Sequence, residues 1–266
     1  MKKINLNDGL SIYCLKETEA IVLDDHIKGY LKHGIKLKNN DTVIDIGANI
    51  GVLGLRLSKE FPKIKIHAFE PIPEIFSVLK KNTILSNNDN FCSYMKGISN
   101  KKDYLSFTYY PNSPALSTSK PEIWNEKKVS LSDAVRGNIS SAAKNFWWAK
   151  YIPKWLSPLI AKYLKANSKI IKSKVICLSD FIDEKNINQI NLLKIDCEGE
   201  ELNVLQGIKK KHWDLINNIV MEIFDVDDNL LNAKNILSKH GFKKIILEKE
   251  KGFEKTKMVN IFALKE

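Results

Sequence analysis

Residues 41–52 read Asp41-Thr-Val-Ile-Asp45-Ile-Gly47-Ala48-Asn49-Ile-Gly51-Val52. A short, continuously apolar run closes on a carboxylate, a glycine loop follows, and an amphipathic segment begins at Val52. That pattern predicts a buried parallel strand turning through bare backbone into a helix, whose free N–H groups face whatever occupies the turn. Asp45 separates the loop from a dinucleotide fingerprint, which puts glycine at the strand end so that a pyrophosphate settles on backbone. A carboxylate about 5 Å from a phosphate charge costs on the order of 3 kcal/mol at an effective dielectric of 20, and beside an ammonium it gains as much. Asp45, Gly47, Ala48, Asn49 and Gly51 therefore predict a cationic ligand.

Outward from this loop the chain alternates apolar runs (42–46, 64–69, 91–98, 192–195, 219–223) with helical stretches (52–60, 73–85, 178–183, 201–211, 227–240). The expectation is an α/β fold with a doubly wound parallel sheet. Residues 243–248 and 258–264 are strand-like with no helix between them, which demands a terminal antiparallel hairpin. Ahead of this domain, taken as 41–266, residues 1–40 form an extension with a short strand or hairpin and a helix at 22–33.

Further carboxylates stand at the predicted strand ends. Glu70, followed by Pro71, lies where an acidic residue accepts ribose hydroxyls in nucleotide-binding sheets, and Gly97-Ile98-Ser99 stands, by analogy, where an adenine edge would pass. The fourth buried run ends Asp196-Cys197-Glu198-Gly199-Glu200-Glu201. Asp196 and Glu198 would share a side of an extended segment and are the candidate catalytic pair, one taking a proton and the other orienting the acceptor. Glu200 and Glu201 are read as first-turn charges that favour a helix dipole. Glu222 completes a carboxylate rim facing the substrate; a divalent ion on Asp196, Glu198 and Glu222 is the weaker reading, and no metal is expected. The scattered histidines are given structural roles, although His26 and His33 fall on the front helix that would cover the site.

The motifs at 45–51, 68–71 (Ala-Phe-Glu70-Pro71), 193–207 and 221–223 together resemble the FkbM family of S-adenosylmethionine-dependent methyltransferases, over roughly 41–110 and 174–224. The resemblance implies a class I methyltransferase (Rossmann-like) sheet, S-adenosylmethionine as cofactor, and O-methylation of a small-molecule, sugar or peptide acceptor in natural-product or glycan biosynthesis. Neither an Asn/Asp-Pro-Pro-aromatic run for amino-group methylation nor a Pro-Cys nucleophile for carbon methylation is present. Competing readings are a non-catalytic cofactor-binding interaction protein and an NAD-dependent oxidoreductase.

Residues 110–174 depart from a minimal family member. The chain carries 42 basic and 31 acidic side chains, a net +11, and no acidic residue occurs from Ala134 to Ser179, where Arg136 and eight lysines lie. Phe146, Trp147, Trp148, Tyr151, Trp155 and Tyr163 fall among them. A mainly helical insertion is expected, acting as a lid whose Trp147 and Trp148 meet the acceptor and whose lysines draw an anionic one; a membrane-surface anchor is the alternative. No nucleic-acid-binding motif is recognised. Cys14, Cys92, Cys177 and Cys197 lack metal-ligand spacing, and no apolar run is long enough to span a bilayer, so a reducing, cytoplasmic setting is expected.

Overall fold

A computed structural model describes residues 1–125, 128–142, 151–249, 254 and 256–265. Strands β1 (Lys2–Asn5) and β2 (Ser11–Cys14) form an antiparallel hairpin that leads into helix α1 (Glu17–Ile27). This helix lies earlier than the expected 22–33, because Glu17 and Glu19 suit its first turn and the chain turns after Lys28, reaching φ 58 at His33.

The seven-stranded main sheet and its helices begin with β3 (Thr42–Ile46), α2 (Val52–Glu60), β4 (Lys65–Phe69), α3 (Pro73–Leu85) and β5 (Phe91–Tyr94). Apolar runs of this kind bury both strand faces, and β3 and β4 feed the clusters on either side of the sheet. Pro73 opens α3 at a position where its missing N–H costs nothing.

The strand expected over 91–98 is two. Gly97–Ser99 is β6, and it leaves the main sheet to run parallel to β8 (Lys169–Cys177), which also pairs antiparallel with β7 (Asp103–Tyr109). Gly97 permits the close approach, since a Cβ there would meet Val175 Cγ1 at 2.9 Å. Between β7 and β8 the chain makes a long excursion with helices α4 (Leu131–Ala142) and α5 (Ser157–Lys165) and short 3-10 turns at Pro114–Leu116, Pro121–Trp124 and Lys154–Leu156. Trp124 is buried in it, edge-on to Phe224 at 5.3 Å, and donates to the Leu116 carbonyl at 2.9 Å.

The remainder is α6 (Leu178–Lys185), β9 (Leu192–Ile195), α7 (Glu201–Gln206), α8 (Lys210–Trp213), β10 (Asn218–Phe224), α9 (Asn229–Lys239), β11 (Lys244–Glu248) and β12 (Met258–Leu264). The helix expected over 201–211 breaks into α7 and α8, because the Lys209 N–H donates to Ser179 Oγ at 2.7 Å instead of a carbonyl one turn back. The main sheet has the order β11-β12-β10-β9-β3-β4-β5, with β12 antiparallel to both neighbours and the other pairs parallel. After building outward from β3 to β5 the chain crosses back to β9 on the other side of β3. The carboxyl ends of β3, β4, β9 and β10 thus converge where the strand order reverses, the place where open α/β sheets bind ligands.

Candidate active site

Beyond β3 the loop is pressed onto its neighbours. Gly47 has φ +71, and a Cβ there would lie 1.8 Å from the Asp196 carbonyl oxygen, so only glycine fits. The N–H groups of Gly47 and Ala48 both donate to the Phe69 carbonyl, at 3.1 and 2.9 Å. Asn82 of α3 ties the loop to the N-terminal hairpin, donating to the carbonyls of Ile50 (2.6 Å) and Tyr13 (2.9 Å).

Beneath this loop lies Lys194, only 3% exposed. Its Nζ is 2.7 Å from the Gly47 carbonyl, 3.1 Å from Asp45 Oδ1 and 3.5 Å from Asp196 Oδ2. Burial alone would lower the ammonium's pKa, but the carboxylates of Asp45 and Asp196 more than reverse this, and Lys194 is held charged. Burial pushes Asp45 up and Lys194 opposes it. Asp45, expected from the sequence to meet a cationic ligand directly, is 1% exposed, faces Lys194 and is not among the residues that line the cavity.

That cavity encloses about 920 Å³, part of it open to solvent. Gly47, Ala48, Asn49, Glu70, Pro71 and Ile98 line it, as do Lys194, Asp196 and Glu198. Gly51 and Ser99 do not: Gly51 caps α2 at φ +83, and the buried Ser99 hydroxyl donates to Glu200 Oε2 at 3.2 Å. Helix α1 closes one side with Leu23, His26 and Ile27, and the excursion closes another with Pro114, Ala115 and Ser117. Glu70 is buried at the end of β4, accepts the Ile72 N–H at 2.9 Å, and is pushed up to about 7 by burial.

Oxygens of Asp196, Glu198 and Glu222 lie within 4.8 Å of one another, a donor set of the kind that holds a hard divalent cation. Tyr30 donates to Asp196 Oδ2 at 3.2 Å, and His26 Nε2 lies 3.7 Å from Glu222 Oε2. Glu198 has φ 54 and an Oε2 that is buried without a hydrogen-bond partner. Burial, then the charges of Asp196 and Glu222, raise its pKa well above the carboxylate range.

Glu200 and Glu201, read from the sequence as first-turn charges that favour a helix dipole, are buried and shape this loop. Glu201 accepts the N–H groups of Cys197 (3.1 Å) and Gly199 (2.9 Å), and Glu200 binds the hydroxyls of Ser99 and Ser119. The excursion is bonded to the same loop: Lys120 Nζ donates to the Gly199 carbonyl at 2.7 Å. Sequence reasoning also missed Lys194 and Tyr30. The signal for Lys194 was present, a lone cation in the four-residue buried strand Leu192–Ile195; Tyr30 gave none. His33 sits away from the cavity on Glu248, at 2.9 Å. Trp147 and Trp148 lie outside the described residues.

This sheet order with its antiparallel β12 between β10 and β11 is that of the class I methyltransferases. The chain belongs to the FkbM methyltransferase family, since residues 45–244 match the methyltransferase FkbM domain. It is 30% identical to Methyltransferase 1 of Beauveria bassiana over 91% of this chain and 89% of that protein. It is 29% identical to the 31-O-demethyl-FK506 methyltransferase FkbM of Streptomyces tacrolimicus over 99% and 96%. The crystal structure of methyltransferase FkbM from Methylobacillus flagellatus KT superposes with a TM-score of 0.55 at 14% identity, covering 89% of this chain and 47% of that one. The cofactor is S-adenosylmethionine. The cavity fits it: bare backbone at Gly47, a buried carboxylate at Glu70 able to accept hydroxyl donors, and apolar walls from Ile72, Ile98 and Phe107.

Proposed function

We propose that this chain is an O-methyltransferase acting on a small-molecule, sugar or peptide acceptor in natural-product or glycan biosynthesis. The observation that carries this reading is that Asp196 and Glu198 open on the same cavity as Gly47, Asn49 and Glu70, with Glu222 grouped beside them. When bound, S-adenosylmethionine supplies an electrophilic methyl group. The protein's part is to hold both partners in line and to receive one proton. Gly47, Ala48, Asn49, Glu70 and Ile98 line the cofactor end, and Asp45 acts on it through Lys194 and the Gly47 carbonyl.

Glu198 takes the acceptor's hydroxyl proton: its raised proton affinity makes it a stronger base once ionised than an ordinary carboxylate. Asp196, held by Tyr30, orients the acceptor, with Glu222 and its neighbour His26 beside it. The excursion forms the acceptor's wall, which is supported by Pro114, Ala115 and Ser117 in the lining and by the Lys120 bond to the Glu198–Glu200 loop. The four free cysteines fit a reducing, cytoplasmic setting.

The test is label transfer from methyl-labelled S-adenosylmethionine to the small-molecule fraction of an extract of the source cells, followed by alkaline hydrolysis. Alkali-stable, oxygen-linked label is expected, with Glu198→Gln losing about 100-fold or more in turnover while S-adenosylhomocysteine affinity stays within a few-fold. Nitrogen-linked label, or unchanged turnover in Glu198→Gln, overturns the assignment.

A further inference from the structure

Helix α5 has two apolar sides. Ser157 and Ala161 are buried, and Ile160 and Leu164 pack onto the cluster formed with Trp124, Val135 and Phe224. That side accounts for the helix's seat. Away from it, at four-residue spacing, Trp155 is 72% exposed, Leu159 60% and Tyr163 62%, and Tyr151, four residues earlier, is exposed as well. Single exposed apolar residues mean little, but Leu159 and Tyr163 share one face of α5, and Trp155, in the 3-10 turn that runs into the helix, stands four residues before Leu159, so the three form one exposed apolar stretch. The surroundings are cationic: Lys162, on α5, and Lys169, just beyond it, are exposed, and no acidic residue lies between Ala134 and Ser179.

We propose that the α5 ridge is a docking surface for an anionic phospholipid bilayer. Trp and Tyr rings seat at the headgroup boundary, Leu159 reaches below it, and lysines pair with acidic headgroups. A second copy of this chain would bring like charge onto like charge. A nucleic acid would find aromatics on a convex helix with an aliphatic between them, whereas single-strand binders stack bases along a groove. The surface lies next to the cavity wall: Asn112 Nδ2, two residues before the lining residue Pro114, donates to the Tyr163 carbonyl at 2.9 Å.

The experiment is sedimentation of the full chain with vesicles of phosphatidylcholine alone or of phosphatidylcholine with phosphatidylglycerol. Binding to the anionic vesicles, weakened by added salt, is expected. The triple variant Trp155→Ser, Leu159→Ser, Tyr163→Ser should bind them at least about tenfold more weakly with unchanged S-adenosylhomocysteine affinity, which checks its fold. The variant Lys162→Gln, Lys169→Gln should lose affinity by a smaller factor and lose part of the salt dependence. No sedimentation with anionic vesicles at low salt, equal binding by the triple variant, or ridge-dependent binding to single-stranded RNA without vesicle binding would each overturn the proposal.

Discussion

Replacing Lys194 by methionine keeps the volume and apolar stem but removes the cation under the glycine loop. Asp45, 1% exposed and 3.1 Å from that ammonium, is then left as a buried carboxylate with no counter-charge. Its escape is to take up a proton, and this bounds the cost. Keeping a group of ordinary pKa 3.8 protonated at neutral pH costs 1.36 kcal/mol per pH unit, about 4 kcal/mol in all at pH 7. That agrees with the 3–5 kcal/mol expected when one partner of a buried pair is removed, and it is a large part of a domain's total stability, about 5–15 kcal/mol. In the variant the folded-state pKa of Asp45 lies above its unfolded value. The penalty is therefore absent below about pH 3.8 and grows as pH rises, reaching about 2 kcal/mol at pH 5. Urea unfolding followed by tryptophan fluorescence at several pH values measures it. The double variant Lys194→Met, Asp45→Asn should recover most of the loss, because it removes the stranded charge. A loss under about 1 kcal/mol at neutral pH, or one that does not change between about pH 5 and pH 7, would refute the reasoning.

In the proposed cofactor role Glu70 accepts both ribose hydroxyls only when ionised, and burial pushes it up to about 7, so calorimetric affinity for S-adenosylhomocysteine should rise about tenfold between about pH 6 and pH 8. Glu70→Gln should bind more weakly and show a flat profile. Gly47→Ala places a Cβ 1.8 Å from the Asp196 carbonyl at a positive φ, and should either cost about 3 kcal/mol in unfolding or fail to accumulate as folded protein. Turnover should survive dialysis against a chelator and gain nothing from added Mg²⁺; loss on chelation with recovery on Mg²⁺ would make Asp196, Glu198 and Glu222 metal ligands.

What could be read from the sequence was what local pattern encodes. The strand at Thr42–Ile46 and the helices at Val52–Glu60 and Pro73–Leu85 fall at the expected residues, because apolar period and turn chemistry act within a few neighbours. The β6-β8-β7 sheet was missed for the opposite reason. Its central strand, Lys169–Cys177, carries three lysines on a partly solvent-facing surface, and it pairs with Asp103–Tyr109 across the whole excursion. The site divides similarly. Strand-end carboxylates were legible by position, but Tyr30 reaches Asp196 across 166 residues, and Glu201 turns inward to cap the Cys197 and Gly199 N–H groups. Such pairings depend on which long-range contacts form, and spacing does not carry them.

The position of Lys194 changes how the cavity recognises a cation. In the sequence reading Asp45 supplies the negative charge; in the structure Lys194 has already neutralised it. The field at the cavity comes instead from the acids of the β4, β9 and β10 ends, namely Glu70, Asp196, Glu198 and Glu222, against the single buried cation Lys194 among the described residues. Ionisation is shared unequally: burial raises the proton affinity of Glu198 well above that of an ordinary carboxylate and pushes Glu70 up to about 7. A cation about 5 Å from one ionised member gains on the order of 3 kcal/mol at an effective dielectric of 20, and its arrival lowers the pKa of the others. Binding a sulfonium cofactor should thus release protons, and Glu198 is the member with most to give. The same event that brings the methyl donor would then prepare Glu198 as a base, which links cofactor binding to acceptor activation without any movement of the backbone. Calorimetry of S-adenosylmethionine binding in two buffers of different ionisation enthalpy reads this directly: proton release is expected in the parent and should be smaller in Glu198→Gln, and equal release in both would separate the two events.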